Sequence, residues 1–254
     1  MYETGSEVSG IQTGFADIHT HILPNIDDGA KDLEEALEMV RLAWQSGTKV
    51  LFLTPHYRGV FKKHTPDYLR DSFEAFCHTV HQELPEMQLV LGQEVHYQTD
   101  IPERLSQGRV LTMGESEYVL LEFRGNSLRA EIVRGVVDVV RCGYTPIVAH
   151  AERYDAFRRD FSLVREVLSH GGLLQLNADS VMGKHGFFVK HFCHKVLKQE
   201  NAHFIASDAH ETQMRVPVLE NCFSYVKRKY GEDYASRLFY RNAKVVMESK
   251  IHIV

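Results

Sequence analysis

Short apolar runs alternate along this chain with longer stretches of helical periodicity. The runs fall at residues 15–19, 49–54, 88–94, 118–122, 146–149, 173–177 and 203–206. They are rich in Val, Ile, Leu and Phe, as strands buried on both faces of a parallel sheet are. The clearest helix spans 32–46: Leu33, Leu37, Val40 and Trp44 recur at helical spacing, Asp32 and Glu35 form a start of the capping-box kind, and Gly47 suits the exit. Further helices are expected at 66–84, 129–141, 160–170, 185–200, 216–229 and 232–248, the last open to a break. Seven strands with interleaved helices predict an α/β fold, a closed or nearly closed (β/α) barrel. A doubly wound open sheet is the alternative, and would gather its ligands at one switch point.

No linker, repeat or low-complexity segment interrupts the pattern, so residues 15–254 are expected to form one domain. Residues 1–14 are polar, lack the apolar core of a signal peptide and read as a loose extension. The run Val50-Leu51-Phe52-Leu53 is far too short to cross a bilayer. An apolar fraction of 44% and a charged fraction of 25% are those of a soluble globular chain, and a net charge of −5 argues against bulk electrostatic binding of nucleic acid. Cys77, Cys142, Cys193 and Cys222 show no metal or redox spacing and read as reduced packing thiols, in keeping with a cytoplasmic protein.

What changes the picture is the residue that ends each apolar run. His19 and His21 end the first and, two apart on an extended strand, share a face. Asp27-Asp28-Gly29 follows in a turn, where one aspartate serves as a ligand and the other as a turn or cap residue; Asp28 is the candidate ligand. His56 follows Thr54-Pro55, Glu94 ends the third run after Gly92, Glu122 the fourth, and His150 the fifth; Asp208 and His210 end the last. Each alone is an ordinary loop residue. Six of seven strands ending this way is not ordinary, because side chains at the C-terminal ends of parallel barrel strands converge on one mouth. Imidazole and carboxylate groups gathered there suit divalent first-row metals. The even spread over six strand ends favours the barrel over the open sheet. His64, His78, His81, His170, His191 and His194 lack this context. Arg153 and Arg215 stand a few residues beyond His150 and His210, where paired guanidinium forks suit an oxyanion such as phosphate. Cys222 and Arg228 have the C-x5-R spacing of thiol phosphatases, but no glycine lies between them and the stretch is helical, so no phosphate-cradling loop forms there.

DIHTHILPNIDDGAKDLEEAL at 17–37, TPHY at 54–57, GQEVHY at 92–97, LLEF at 120–123, VAHAERY at 148–154 and ASDAH at 206–210 together resemble the PHP (polymerase and histidinol phosphatase) superfamily. More narrowly, they are similar to its bacterial protein-tyrosine-phosphatase branch, encoded with capsule and exopolysaccharide genes. The resemblance implies a distorted (β/α)7 barrel with the metal site at the C-terminal rim. It implies three divalent metal ions, manganese first and iron or zinc as alternatives. One ion would take His19, His21, Glu94 and Asp208; a second would share Glu94 with Glu122 and His150; a third would take Asp28, His56 and His210. Arg153 and Arg215 match the branch's phosphate-gripping arginines, and Asp208 is a candidate proton donor. The implied reaction is hydrolysis of phosphotyrosine on a membrane-linked bacterial tyrosine kinase, with no nucleic-acid partner and no direct membrane insertion. A histidinol-phosphatase-like activity, a nuclease and a non-catalytic metal-binding scaffold are the alternatives. Tyr57, Arg58 and Phe61 are candidates for a peptide-recognition rim.

Overall fold

The computed structural model describes residues 14–59 and 65–249. The expected N-terminal extension therefore lies outside the described residues apart from Gly14, as do Phe61 and His64. Among the described residues nine strands form: β1 (Phe15–Thr20), β2 (Thr48–Leu53), β3 (His56–Tyr57), β4 (Gln88–Leu91), β5 (Glu94–His96), β6 (Tyr118–Glu122), β7 (Thr145–Val148), β8 (Leu173–Asn177) and β9 (Phe204–Ala206). Every ladder between them is parallel. They make seven barrel staves, because β2 continues into β3 across Thr54–Pro55 and β4 into β5 across Gly92–Gln93. The first break falls where Pro55 has no N–H to give a ladder. The second falls where Met113 presses on the chain: a Cβ on Gly92 would stand 2.9 Å from its Sδ. The breaks divide the curled sheet into β1-β2-β4 and β3-β5-β6-β7-β8-β9. At the top the last strand returns to the first, His21 N donating to Ala209 O at 2.8 Å and Asp208 N to His19 O at 2.9 Å. The result is a distorted barrel rather than an open sheet.

Alternation along the strands sorts side chains inward and outward. Val50, Phe52, Leu120, Ile147, Phe204 and Ala206 pack together inside, with Met113 and with Ala243 and Val246 of α11 (Asn242–Glu248). Their neighbours Val119, Leu121, Val148, Leu174, Leu176 and Ile205 face the helices in a larger outer cluster. The same parity carries Glu94 and His96, Glu122, Gln175 and Asn177 to the interior. In β1, Ile18 packs inside, and a register shift between Asp17 and Thr20 lets His19 face the interior as well.

The helices are α1 (Leu33–Gln45), α2 (Pro66–Glu83), α3 (Ile101–Ser106), α4 (Arg129–Arg141), α5 (Asp155–Arg159), α6 (Ser162–Ser169), α7 (Ala178–Met182), α8 (Phe187–Lys198), α9 (Glu220–Tyr230), α10 (Glu232–Ser236) and α11, with a π turn at Arg237–Arg241. Asp32 caps α1 by accepting from Glu35 N at 2.9 Å. The buried face of α1 is Ala36, Met39, Val40 and Ala43, while Leu33 stays exposed. The helix expected at 160–170 is α6, which starts where the Asp160 side chain accepts from Ser162 N at 2.9 Å; α5, just before it, was not expected. The one expected at 185–200 begins at Phe187, after left-handed Gly183 and Gly186 part it from α7. The one expected at 216–229 starts only at Glu220. Short α3, with Pro102 in its first turn, was not expected.

Candidate metal centre

The loop after β1 is folded back on that strand. Ala30 N donates to His21 O at 3.0 Å, and a Cβ on Gly29 would stand 1.9 Å from the same oxygen, so only glycine allows this approach. The turn places Asp27 under the site and Asp28 over it. Asp27 Oδ2 lies 2.7 Å from His21 Nδ1 and accepts from His56 N at 2.9 Å. Asp28, more than half exposed, faces His56 and His210. Two other candidate ligands turn on left-handed backbone, His150 at φ 31° and Asp208 at φ 55°. Such conformations cost of order 1–3 kcal/mol each and persist where surrounding contacts hold them.

All nine candidate ligands converge. His19 Nε2 and His21 Nε2 are 3.2 Å apart, each 3.3 Å from Glu94 Oε2 and 3.5 and 3.6 Å from Asp208 Oδ1. Glu94 Oε1 lies 2.7 Å from His150 Nε2, and Oε2 lies 2.9 Å from His56 Nδ1. Glu122 Oε2 is 3.8 Å from His56 Nδ1, and Asp28 Oδ1 is 3.3 Å from His56 Nε2 and 3.6 Å from His210 Nε2. Grouped by donor atoms, three sets emerge: His21, Asp28, His56 and His210; His19, His21 and Glu94; and His56, Glu94 and Glu122. These cross the sets that the resemblance implies, with His56 rather than His150 beside Glu94 and Glu122, and with His21 joining the Asp28 set.

The donors fit divalent cations. Glu94 Oε2 is buried without a hydrogen bond although three imidazole nitrogens lie within 3.3 Å of it. Two imidazole Nε2 atoms facing each other at 3.2 Å likewise suit a shared cation better than two N–H groups. The opposite nitrogens are held: His21 Nδ1 by Asp27, His19 Nδ1 by Gln175 Oε1 at 3.2 Å and His210 Nδ1 by the Asp208 carbonyl at 3.0 Å. Each contact selects the tautomer that turns Nε2 inward, as partners of metal-bound histidines do. Burial alone would raise the Glu94 carboxyl, but His19, His150 and His21 hold it well below the ordinary carboxylate range. Burial would also raise Asp208, and His19, His150 and Arg215 hold it low. Burial would lower His56, but Asp28 and Glu94 raise it to about 9; His210 is pushed down to about 3 by burial, His21 and Arg215.

Above this cluster opens a cavity of about 370 Å³ lined by Asp28, His56, Arg58, Glu94, Glu122, Phe123, His150, Arg153, Asp208, His210 and Arg215 among others. Arg153 donates to Asp208 Oδ2 at 2.9 Å, and Arg215 lies 2.8 Å from Oδ1. Both arginines are part-exposed, with their forks in the cavity. Arg58 also lines it, but Tyr57 points outward into the core and is 3% exposed, so it is no part of a rim. Cys222 is buried within α9 and burial pushes its thiol up, the opposite of an activated nucleophile.

Three contributors escaped the sequence reading. Gln175 accepts from His150 N at 2.7 Å as well as facing His19, and donates to Asn177 Oδ1 at 2.7 Å; Asn177 in turn donates to Asp208 Oδ2 at 2.8 Å. His96 Nδ1 lies 3.2 Å from Glu122 Oε2. Strand parity was the available signal, since His96 shares a face with Glu94, and Gln175 and Asn177 are polar residues at alternate positions of an apolar run.

The family described as capsular polysaccharide synthesis, CpsB/CapC, matches residues 15–248. The tyrosine-protein phosphatase CpsB of Streptococcus agalactiae is 30% identical over 240 residues, covering 92% of this chain and 98% of the relative. The tyrosine-protein phosphatase YwqE of Bacillus subtilis is 27% identical over 234 residues, covering 92% of each. A crystal structure reported with YwqE from Bacillus subtilis and CpsB from Streptococcus pneumoniae, described as unique metal-dependent tyrosine phosphatases, superimposes with a TM-score of 0.85 at 27% identity, covering 93% of this chain and 95% of that one. More distant barrels, such as a lactonase from Listeria monocytogenes at a TM-score of 0.59 and 12% identity, share the fold alone. With the match spanning the whole barrel, this chain belongs to the CpsB/CapC family of capsular polysaccharide synthesis.

Proposed function

We propose that this chain is a metal-dependent protein-tyrosine phosphatase. The observation that carries the reading is one cavity in which buried histidines and carboxylates form the floor and Arg153 and Arg215 present their forks above it. The relatives named tyrosine-protein phosphatases support it. His19, His21, Asp28, His56, Glu94, Glu122, His150, Asp208 and His210 would hold three divalent ions, manganese by the family's resemblance. Bound there, such ions supply a water of lowered pKa and positive charge against the phosphoryl oxygens.

The chain's own residues do the rest. Arg153 and Arg215 bind the phosphoryl group and offset the charge that develops on it. In the structure both arginines rest on Asp208, which aims them at the cavity. His19 and His150, with Arg215, keep Asp208 ionised, which suits a ligand and an arginine anchor better than a proton donor. The leaving tyrosyl oxygen has an unperturbed pKa of about 10 and departs more readily than an alkoxide. Asp27, Gln175 and Asn177 hold the cage in register. The substrate would be a phosphotyrosine protein, a membrane-linked bacterial tyrosine kinase, met in the cytoplasm. Among the described residues no helix is long and apolar enough to cross a membrane.

A side-by-side assay of a phosphotyrosine peptide, histidinol phosphate and single-stranded DNA, with protein of measured metal content, tests the reading. Turnover of the peptide that is lost on chelation and restored by Mn²⁺ is expected. Preference for histidinol phosphate moves the chain to small-molecule hydrolysis, and full activity in protein shown to be metal-free overturns the mechanism.

A further inference from the structure

The turn between α7 and α8 stands out from the barrel rim. Residues Lys184 to Phe188 are all exposed, Phe187 and Phe188 by 73% and 81%. Their rings meet edge to face with centroids 5.8 Å apart, and Phe187 stacks on His191 at 6.0 Å. Adjacent phenyl rings held in water mark a surface that another molecule covers. Gly183 and Gly186 take left-handed φ of 101° and 91°, and nothing lies within 4 Å of where a Cβ on Gly186 would stand, so the tip projects into solvent. Lys190 Nζ donates to Met182 O at 3.1 Å and braces the turn. From Gly183 to His191 the chain carries Lys184, His185, Lys190 and His191 and no Asp or Glu, in a protein of net charge −5. Lys184 does have a carboxylate beside it, Asp179 at 2.9 Å.

The tip is tied to the cavity. α7 leaves β8 directly after Asn177, whose side chain holds Asp208. Ser180 of α7 lies 3.1 Å from His185 Nδ1, and Asn177 at the head of α7 donates its backbone N–H to Glu152 Oε1, in the residue before Arg153, at 3.1 Å. Since β7 and β8 are paired neighbours, the tip and Arg153 rise from adjacent staves. The phosphoryl grip is the same for every phosphotyrosine, so discrimination among protein segments has to come from outside the cavity.

Resting on the phosphatase reading, we infer that the Phe187–Phe188 tip is a docking surface for an acidic segment with apolar side chains that flanks the phosphotyrosine of the substrate protein. The positive, carboxylate-poor turn complements acidic residues and the phenyl pair complements the apolar ones. An extended segment advances about 3.3 Å per residue, so positions roughly two to five residues from the phosphotyrosine reach the loop of the neighbouring stave. A segment can enter the recessed cavity and cross this step together, whereas a flat lipid surface resting on the tip would leave the cavity floor out of reach.

The test compares wild type with Phe187→Ser/Phe188→Ser on three substrates: a phosphotyrosine peptide with Glu and Leu flanks, the same peptide with Ser and Gly flanks, and p-nitrophenyl phosphate. Both positions of the double variant are exposed, and circular dichroism and metal content check that fold and site persist. The wild type is expected to prefer the acidic, apolar peptide. The double variant should raise KM for that peptide about tenfold with kcat unchanged, the mark of lost uniform binding, and leave p-nitrophenyl phosphate within about twofold. Equal effects on all three substrates, or none on any, overturn the inference while leaving the phosphatase reading intact. A wild type that hydrolyses none of them overturns that reading and this one with it. Sedimentation with phosphatidylglycerol vesicles that is abolished by Phe187→Ser/Phe188→Ser, with peptide kinetics unchanged, reassigns the tip to a lipid surface and overturns the inference.

Discussion

At its N-terminal end the barrel is filled by Phe52, Ile147, Phe204 and their neighbours and plugged by Met113 and α11. At the C-terminal end the same staves and their loops deliver five candidate-ligand imidazoles and four candidate-ligand carboxylates, all buried but Glu122 and the exposed Asp28. The apolar end makes no demand beyond shape. The polar end asks for compensation at every atom, because a buried charge without a partner is far costlier than a buried methyl group. Its partners are arranged in layers: Asp27, Gln175 and Asn177 hold ligand side chains from behind, and Arg153 and Arg215 face Asp208 from the front. One fold thus separates its apolar filling from its cluster of candidate ligands, and each end is expected to tolerate disturbance of the other.

Glu94→Gln should be the largest disturbance of the polar end. Glu94 faces His19, His21, His56 and His150 at once, so its loss should strip metal and lower kcat/KM by about a thousandfold or more. Asp28→Asn, on the exposed edge, should remove less of both. Elemental analysis beside kinetics checks the order, and equal losses would mean that Glu94 is not a shared ligand. The matching cut at the apolar end is Phe52→Ala. It should destabilise the fold by about 3–5 kcal/mol in urea while metal content and kcat below the transition stay near wild type. A Phe52→Ala protein that also loses its metal would show the two ends to be coupled.

Arg215→Ala and Arg153→Ala should leave metal content unchanged and lower kcat/KM by roughly 2–4 kcal/mol, alike for a phosphotyrosine peptide and p-nitrophenyl phosphate. Lys at either position should restore only part of it, since one ammonium cannot reproduce the fork. A loss confined to the peptide would move that arginine from phosphate grip to peptide docking. Gln175→Leu keeps the volume but removes the oxygen facing His19 and His150 N; metal affinity should fall about 10–100-fold in a competition titration with the fold retained. Cys222→Ser should change least. Its thiol is buried in the outer cluster, and turnover should stay close to wild type with at most a modest loss of stability. A folded, metal-replete Cys222→Ser protein without activity would revive a thiol mechanism.

Much of this was legible in the chain itself. The seven apolar runs are the seven staves, because strand burial writes itself as local composition. His19, His21, His56, Glu94, Glu122, His150, Asp208 and His210 could be picked out because a parallel barrel brings the C-terminal ends of its strands to one mouth whatever the loops do. Tertiary contact alone decided the rest. The aspartates at 27 and 28 are equivalent in sequence; the fold of the turn on His21, allowed by Gly29, puts one beneath the imidazole and the other above the cavity. Gln175 lies 156 residues from His19, and Asn177 lies 31 from Asp208, and no local pattern records such partners. Thr54–Pro55 and Gly92–Gln93 break their staves partly through what packs on them, as Met113 does on Gly92. Periodicity is set by covalent geometry and solvent exposure and can be read one residue after another, whereas hydrogen-bond partners and donor groupings depend on which strands the distorted barrel makes neighbours.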